Sequence, residues 1–290
     1  MTKYDAICLS GGGIKGIAQL GALQRHWELG DINYKDVKAY SGTSIGSVIA
    51  LLLSVGYNPT EIFQKVCDIT NFFDTKNNQS VFVKMGLLGI ESFTSYVSKL
   101  VLDKCRLEKI PTMKELYEIT KKELFITGSN TTKMTGEVFS HITRPNLSCI
   151  DAVNYSCNLP LIFSRKVHKG DTFIDGGFSD NLPILALKNK DEKRKILAIT
   201  ISGIDIESSD TSFMSYITRS MLFMIHTIQC MKTKEALLDR EIEVHIENIS
   251  INSEILISVN LAHEQKMEMF VNGYNYSEIL QVDQYLFIKR

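Results

Sequence analysis

The sequence predicts an α/β fold in which helices cover both faces of a largely parallel sheet. Two observations carry that expectation. Short apolar runs stop at glycine or polar residues, and helical spacing begins almost as soon as several of them end. In addition, no internal repeat, low-complexity run or Pro/Gly/Ser-rich linker breaks the chain, so residues 1–290 are expected to form one domain.

The elements follow in order. Ala6-Ile7-Cys8-Leu9 is apolar and ends at glycines, as a buried strand does. Residues 14–29 have helical spacing, with Ile17, Leu20 and Leu23 on one side and Gly30 as the stop. Residues 37–40 read as a second strand, with a helix over about 44–55 directly behind it, and Asn58-Pro59-Thr60 opens another helix that runs through Cys67. Between Phe72 and Lys122, helices mix with polar loops such as Lys76-Asn77-Asn78-Gln79. Residues 124–127 and 196–201 are two further buried strands.

The composition, 44% hydrophobic and 22% charged over 290 residues, is that of an ordinary soluble globular chain. A net charge of −1 gives no basic face for nucleic acid. The apolar stretch behind Met1-Thr2-Lys3-Tyr4-Asp5 is too short for a signal peptide, and no window approaches the ~20 apolar residues of a membrane span. A cytoplasmic protein is therefore expected. Six cysteines (Cys8, Cys67, Cys105, Cys149, Cys157, Cys230) are scattered without a Cys-x-x-Cys pair, which favours reduced thiols over a zinc site.

Three short strings carry chemistry. Gly42-Thr43-Ser44-Ile45-Gly46 fits a nucleophile elbow, with a strand before it and a helix after it; Ser44 then sits at a helix N-terminus that favours developing negative charge. The structural alternative is a serine that merely caps the helix. Gly11-Gly12-Gly13-Ile14-Lys15-Gly16 also satisfies a dinucleotide fingerprint, but no acidic residue ends the second strand to hold a ribose; Asp31 and Asp36 precede it. A phosphate P-loop fails because no Lys-Ser or Lys-Thr follows Gly16. Clustered glycine N–H groups suit an oxyanion hole instead, with Lys15 adding positive potential. Asp175-Gly176-Gly177 places a carboxylate on a tight turn, where a water-excluding site raises its basicity. A histidine-based triad would call on His226, His245 or His263, none of which has a local signature; His245 reads as an exposed strand residue.

With these strings in hand, the chain resembles the patatin-like phospholipases. Residues 10–16, 42–46 and 175–177 match the family's glycine-rich loop, serine and aspartate motifs in order. The run Ser156-Cys157-Asn158-Leu159-Pro160 with Phe163 is similar to its S-x-x-x-P-x-x-F segment, and residues 175–183 to its D-G-G-x-x-x-N-x-P segment. Ser10 departs from the family's usual aspartate, and the likeness fades after about Leu187.

The resemblance implies a three-layer α/β/α domain with a mainly parallel central sheet and a Ser-Asp dyad without a third member. Ser44 is then the nucleophile and Asp175 the base, with Gly11, Gly12, Gly13 and the Ile14 N–H as oxyanion hole. Lys15, Gly16, Gly42, Gly46, Gly176 and Gly177 support the motifs. It implies hydrolysis of lipid acyl esters, most simply phospholipase A-type, with no metal or organic cofactor and with peripheral membrane contact. Transacylation, or an idle member that binds lipid or a partner, are the other functions such a chain supports. For lipid contact, residues 213–231 place Met214, Ile217, Met221, Met224, Ile225 and Ile228 at helical spacing, as a core helix or a flexible apolar wall. Leu87-Leu88-Gly89-Ile90 with Phe93 is a second candidate. The basic cluster Lys188, Lys190, Lys193, Arg194 and Lys195, which includes Asp191 and Glu192, reads as a solvated loop.

Overall fold

A computed structural model describes residues 3–68, 86–88, 90–188, 193–202, 213–239, 241–251, 261–275 and 278–279. The polar loop at 76–79 lies outside the described residues, as do Gly89, Lys190, Asp191, Glu192 and the side chains of Leu87, Leu88 and Met214.

Strand β1 (Ala6–Leu9) leads through a 3₁₀ turn (Gly13–Lys15) into helix α1 (Gly16–Glu28). β2 (Ala39–Thr43) runs into α2 (Ile45–Ser54). It starts later than the sequence suggests and continues through Gly42, because the whole segment pairs with β1 from Ala39 onward. α3 (Pro59–Cys67) opens on a capping box, in which Asn58 Oδ1 accepts the Glu61 N–H and Glu61 Oε2 accepts the Asn58 N–H. There follow β3 (Gly86–Leu88), α4 (Glu91–Cys105), α5 (Met113–Thr120), β4 (Glu123–Asn130) and β5 (Thr135–Phe139). Next are α6 (Cys149–Ser156), β6 (Leu161–Phe163), β7 (Lys166–His168), β8 (Asp171–Asp175) and β9 (Lys195–Ser202). The chain continues through α7 (Phe213–Leu238), β10 (Glu243–Ser250), α8 (His263–Asn275) and β11 (Glu278–Ile279).

The main sheet has the order β11-β10-β9-β1-β2-β4-β8-β7, with β5 also on β4. β10, β9, β1, β2 and β4 are all parallel, whereas β5, β7, β8 and β11 pair antiparallel at the two ends. The side chains of β1 alternate between two cores. Ile7 and Leu9 join Leu20, Leu51, Val101 and Val153 on the face covered by α1, α2, α4 and α6. Ala6 and Cys8 join Ala198, Leu187 and Ala236 on the other, whose small residues let α7 and the segment after β8 approach closely. The result is a three-layer α/β/α fold.

One detail of register places the site. Thr127 of β4 pairs with Thr43 of β2 on one edge and with Val138 of β5 on the other. Gly128, the next residue, pairs with Asp175 of β8 and with Glu137 of β5. β2 and β8 therefore lie on the same edge of β4, run in opposite directions and meet at their C-terminal ends. Thr43 and Asp175 arrive at adjacent positions although 131 residues of sequence (44 to 175) separate the serine from the aspartate.

Candidate active site

The glycine loop after β1 is held from beneath. Ser10 is fully buried; its hydroxyl donates to the Gly11 carbonyl at 2.9 Å and accepts the Ile201 N–H at 3.2 Å. Gln19 donates to the Ser10 carbonyl at 2.9 Å. The Gly11 N–H donates to the Asn181 carbonyl at 3.2 Å, so Gly11 is no oxyanion donor, contrary to the expectation from sequence. What Gly11 supplies is clearance: a Cβ there would stand 3.1 Å from the Ser44 Cβ. Gly13 has φ +58°, and among the described residues the N–H groups of Gly12, Gly13 and Ile14 donate to no acceptor.

Ser44 follows β2 with φ 52° and ψ −127°, a strained conformation for a side-chain-bearing residue that costs about 1–3 kcal/mol. The surroundings enforce it. A Cβ at Gly42 would come within 2.4 Å of the Gly46 carbonyl oxygen, and one at Gly46 within 2.4 Å of the Leu9 carbonyl oxygen. The Ser44 N–H donates to the Ser156 hydroxyl at 2.8 Å, and the Ser47 hydroxyl donates to the Ser44 carbonyl at 2.6 Å. The Ser44 side chain makes no capping bond to α2. That absence excludes the simple helix-cap alternative, and the hydroxyl lies near enough to the Asp175 carboxyl to favour its charged form.

Asp175 is 4% exposed. Its N–H donates to the Asn158 carbonyl, and its Oδ1 accepts the Gly177 N–H at 2.8 Å. Burial pushes the carboxyl up to about 6, against the pull of the Ser44 hydroxyl and the Gly177 N–H. Gly176 must be glycine, because a Cβ there would lie 2.2 Å from the Thr127 carbonyl oxygen. Cys157 is buried beside the pair, and burial raises its thiol, so it stays protonated.

No imidazole completes a triad among the described residues. His226 lies 3.6 Å from the Cys230 sulfur, and His263 begins α8. His245 is not the exposed strand residue that alternation suggests. It stacks on Tyr4 and stands 3.6 Å from Glu247.

Ser44, Asp175 and residues 11–16 border one cavity of about 650 Å³. Its walls are mostly apolar, with Ile49 and Leu52 from α2, Ile62 from α3 and Phe93 and Val97 from α4. α7 closes it with Leu222, Phe223 and Ile225. The two methionines singled out for this role do not line it: Met221 packs in the interior and Met224 faces outward. Phe93 of the second candidate does. The basic cluster is largely consumed by structure. Lys188 pairs with Asp239 and Glu241, and Arg194 is buried against Glu123.

An elbow serine and a buried carboxyl that line one mostly apolar cavity fit an acyl-ester hydrolase. A family model described as patatin-like phospholipase matches residues 7–188, and the chain belongs to that family; it is a lipid acyl hydrolase. It is 31% identical over 216 residues to a probable lipid hydrolase, 463L, of Invertebrate iridescent virus 6, spanning 68% of this chain and 70% of that one. It is 28% identical over 289 residues to the uncharacterized protein R571 of Acanthamoeba polyphaga mimivirus, with coverage of 94% and 92%. The solved structure of VipD from Legionella pneumophila shares the fold, with a TM-score of 0.59 at 18% identity over 98% of this chain and 67% of VipD.

The serine, glycine and aspartate strings were all legible in sequence. Gln19, Ser156, Asn158 and Asn181 were not recognised as supports, although the last three sit inside motifs. No local signal marks Gln19, whose partners are set by the fold.

Proposed function

We propose that the protein is a phospholipase of the A type working through a Ser44–Asp175 dyad. The observation that carries this reading is a buried carboxyl, raised to about 6, that borders the same apolar cavity as a serine on a strained elbow. As Ser44 Oγ attacks the ester carbonyl carbon, Asp175 takes the hydroxyl proton. The oxyanion is held by the N–H groups of Gly12, Gly13 and Ile14. Collapse breaks the ester C–O bond, and Asp175 returns its proton to the leaving lysolipid alcohol. Water then attacks the acyl-enzyme with Asp175 again as base; the acyl–Oγ bond breaks as Asp175 returns that proton to Ser44 Oγ, and the fatty acid leaves. No cofactor takes part in this scheme.

The cavity suits a lipid tail in size and lining, and Lys65 and Arg219 on its border suit an anionic phosphodiester. Among the described residues no helix is long and apolar enough to cross a membrane. Peripheral contact fits α7, whose Tyr216, Phe223, Met224 and Met231 are exposed; Phe223 also lines the cavity. Ile201, Arg219 and Gln229 border the cavity from beyond residue 188, so the catalytic unit extends past the family-matched region.

The test is fluorophosphonate labelling of wild type, Ser44→Ala and Asp175→Asn, alongside fatty-acid release from phosphatidylcholine vesicles. The expected result is labelling and release by wild type only, with all three proteins folded. Labelling without release would redirect the search to another lipid acyl ester. An unlabelled wild type, or full activity in Ser44→Ala, would overturn the dyad.

A further inference from the structure

We propose that Gln229 of α7 is a positioning residue that, through Asn181, holds the glycine loop and the aspartate turn in mutual register. The inference rests on the dyad reading above.

Asn181 touches both halves of the apparatus. Its carbonyl accepts the Gly11 N–H at 3.2 Å. Its Oδ1 lies so close to Gly11 that a Cβ there would meet it at 2.5 Å, and a Cβ on Gly177 would meet the same oxygen at 3.1 Å. Gly11 begins the loop that carries the candidate oxyanion donors, and Gly177 supplies the N–H that holds Asp175 Oδ1. A shift of the Asn181 amide therefore moves donors and base relative to each other.

What fixes that amide is Gln229. Its Oε1 accepts from Asn181 Nδ2 at 2.7 Å, and its Nε2 donates to the Thr200 hydroxyl at 2.7 Å. Asn181, Gln229 and Thr200 are all buried, so water is a poor substitute partner. Thr200 lies in β9, whose Ile199 pairs with Leu9 at the end of β1. The chain Thr200–Gln229–Asn181 thus ties the glycine loop to the rigid centre of the sheet by way of α7. A deep packing residue needs only one such bond; Gln229 uses both ends of its amide and borders the cavity.

The test uses Thr200→Val, Gln229→Leu and the double variant, with kinetics on a soluble short-chain ester and melting temperature in parallel. Thr200→Val is the mild probe: it keeps the residue's shape, and Thr200 does not border the cavity. Since ångström-scale misplacement of catalytic groups costs up to about a hundredfold, Gln229→Leu should lower kcat by about tenfold or more while KM moves less than about twofold. Thr200→Val should lower kcat in the same direction but less, and the double variant should be no worse than Gln229→Leu, because both cut one chain. A fall in melting temperature with kcat unchanged overturns the proposal, as do single effects that multiply in the double variant. If Gln229→Leu does not fold, the effect of Thr200→Val on kcat decides. Ser44→Ala separates this inference from its foundation. An inactive Ser44→Ala beside a fully active Gln229→Leu defeats the positioning role alone, whereas an active Ser44→Ala defeats the dyad and this inference with it.

Discussion

Asp175 and Glu247 are carboxylates on the same sheet, 4% and 3% exposed, and the protein treats them in opposite ways. Asp175 at the end of β8 accepts one backbone N–H and lies near a serine hydroxyl, and burial pushes it up to about 6. Glu247 in β10 is buried as deeply, but the nearby His245 and a hydrogen bond from His26 outweigh burial and hold it at about 2. His26 Nε2 is 2.7 Å from Glu247 Oε1 and its Nδ1 is 2.8 Å from Asp31 Oδ2. For His26, burial works against the charged ring, yet Glu247 and then Asp31 raise it overall. Depth alone therefore decides neither carboxyl's state. A carboxylate given cationic partners becomes a fixed strut joining α1 to β10; one given only weak donors keeps its appetite for a proton.

The largest effect expected from breaking this contrast is at Asp175. Asp175→Asn should lower kcat by about 10³-fold or more, since it removes the proposed base. The same change should stabilise the fold at pH 7 by about 1–3 kcal/mol in denaturant titrations, because an ionised carboxyl held at a raised value destabilises the native state. A variant that is both inactive and less stable would contradict this account of the site.

Glu247→Gln should do the reverse. It should cost about 3 kcal/mol of stability by taking one of the two carboxylate partners from a buried imidazolium, with kcat on a soluble ester close to wild type. The signs of the pH dependence also differ. Glu247 contributes stability above about 4.5 that is lost as pH falls toward 2, and His26 contributes below about 6.5 and loses it as pH rises through its raised value. Asp175 acts oppositely, since its cost grows as pH climbs from about 4 to about 6. Stability curves of the two variants should diverge accordingly.

Activity offers a finer measurement. kcat/KM should rise with pH and reach half its plateau near pH 6, where Asp175 ionises. Asp180, also raised to about 6 by burial, is the obvious confounder, and Asp180→Asn should leave that midpoint in place. The smallest effect belongs to the outer face of α7. Phe223→Glu with Met224→Glu should reduce release from vesicles several-fold more than turnover of a soluble ester, an amount typical of losing a few exposed apolar contacts. Equal losses on both substrates would remove α7 from the membrane contact.

What the sequence made legible was local. The glycine strings at 11–13, 42, 46 and 176 can be read as patterns without a fold, although the atoms that demand glycine at 46 and 176, the Leu9 and Thr127 carbonyls, come from other strands. The parallel order of β10, β9, β1, β2 and β4 follows from strand–helix alternation, and it held. Convergence was not legible, because Thr43 and Asp175 become neighbours only through adjacent registers on β4. In the antiparallel rim, β4–β5 and β7–β8 are local hairpins, and the long-range step is the pairing of β8 with β4. Gly11 was misassigned because its N–H partner, Asn181, is supplied from far along the chain. For α7 the helical spacing marks a stripe that divides: Met221 packs in the core, Ile225 lines the cavity and Met224 faces outward. His26, Asp31 and Glu247 carry no motif, since their pairing is a property of tertiary packing alone.

The head-on meeting of β2 and β8 has a consequence in time. At the roughly 5–20 residues per second of synthesis, a ribosome that has just made Ser44 needs on the order of ten seconds more to reach Asp175. Gln229 follows later still. During that interval the emerging chain carries the serine without its proposed base and the glycine loop without its proposed clamp. A lipid-cleaving enzyme made in this order stays harmless to the membranes around it until nearly all of its sheet has been assembled.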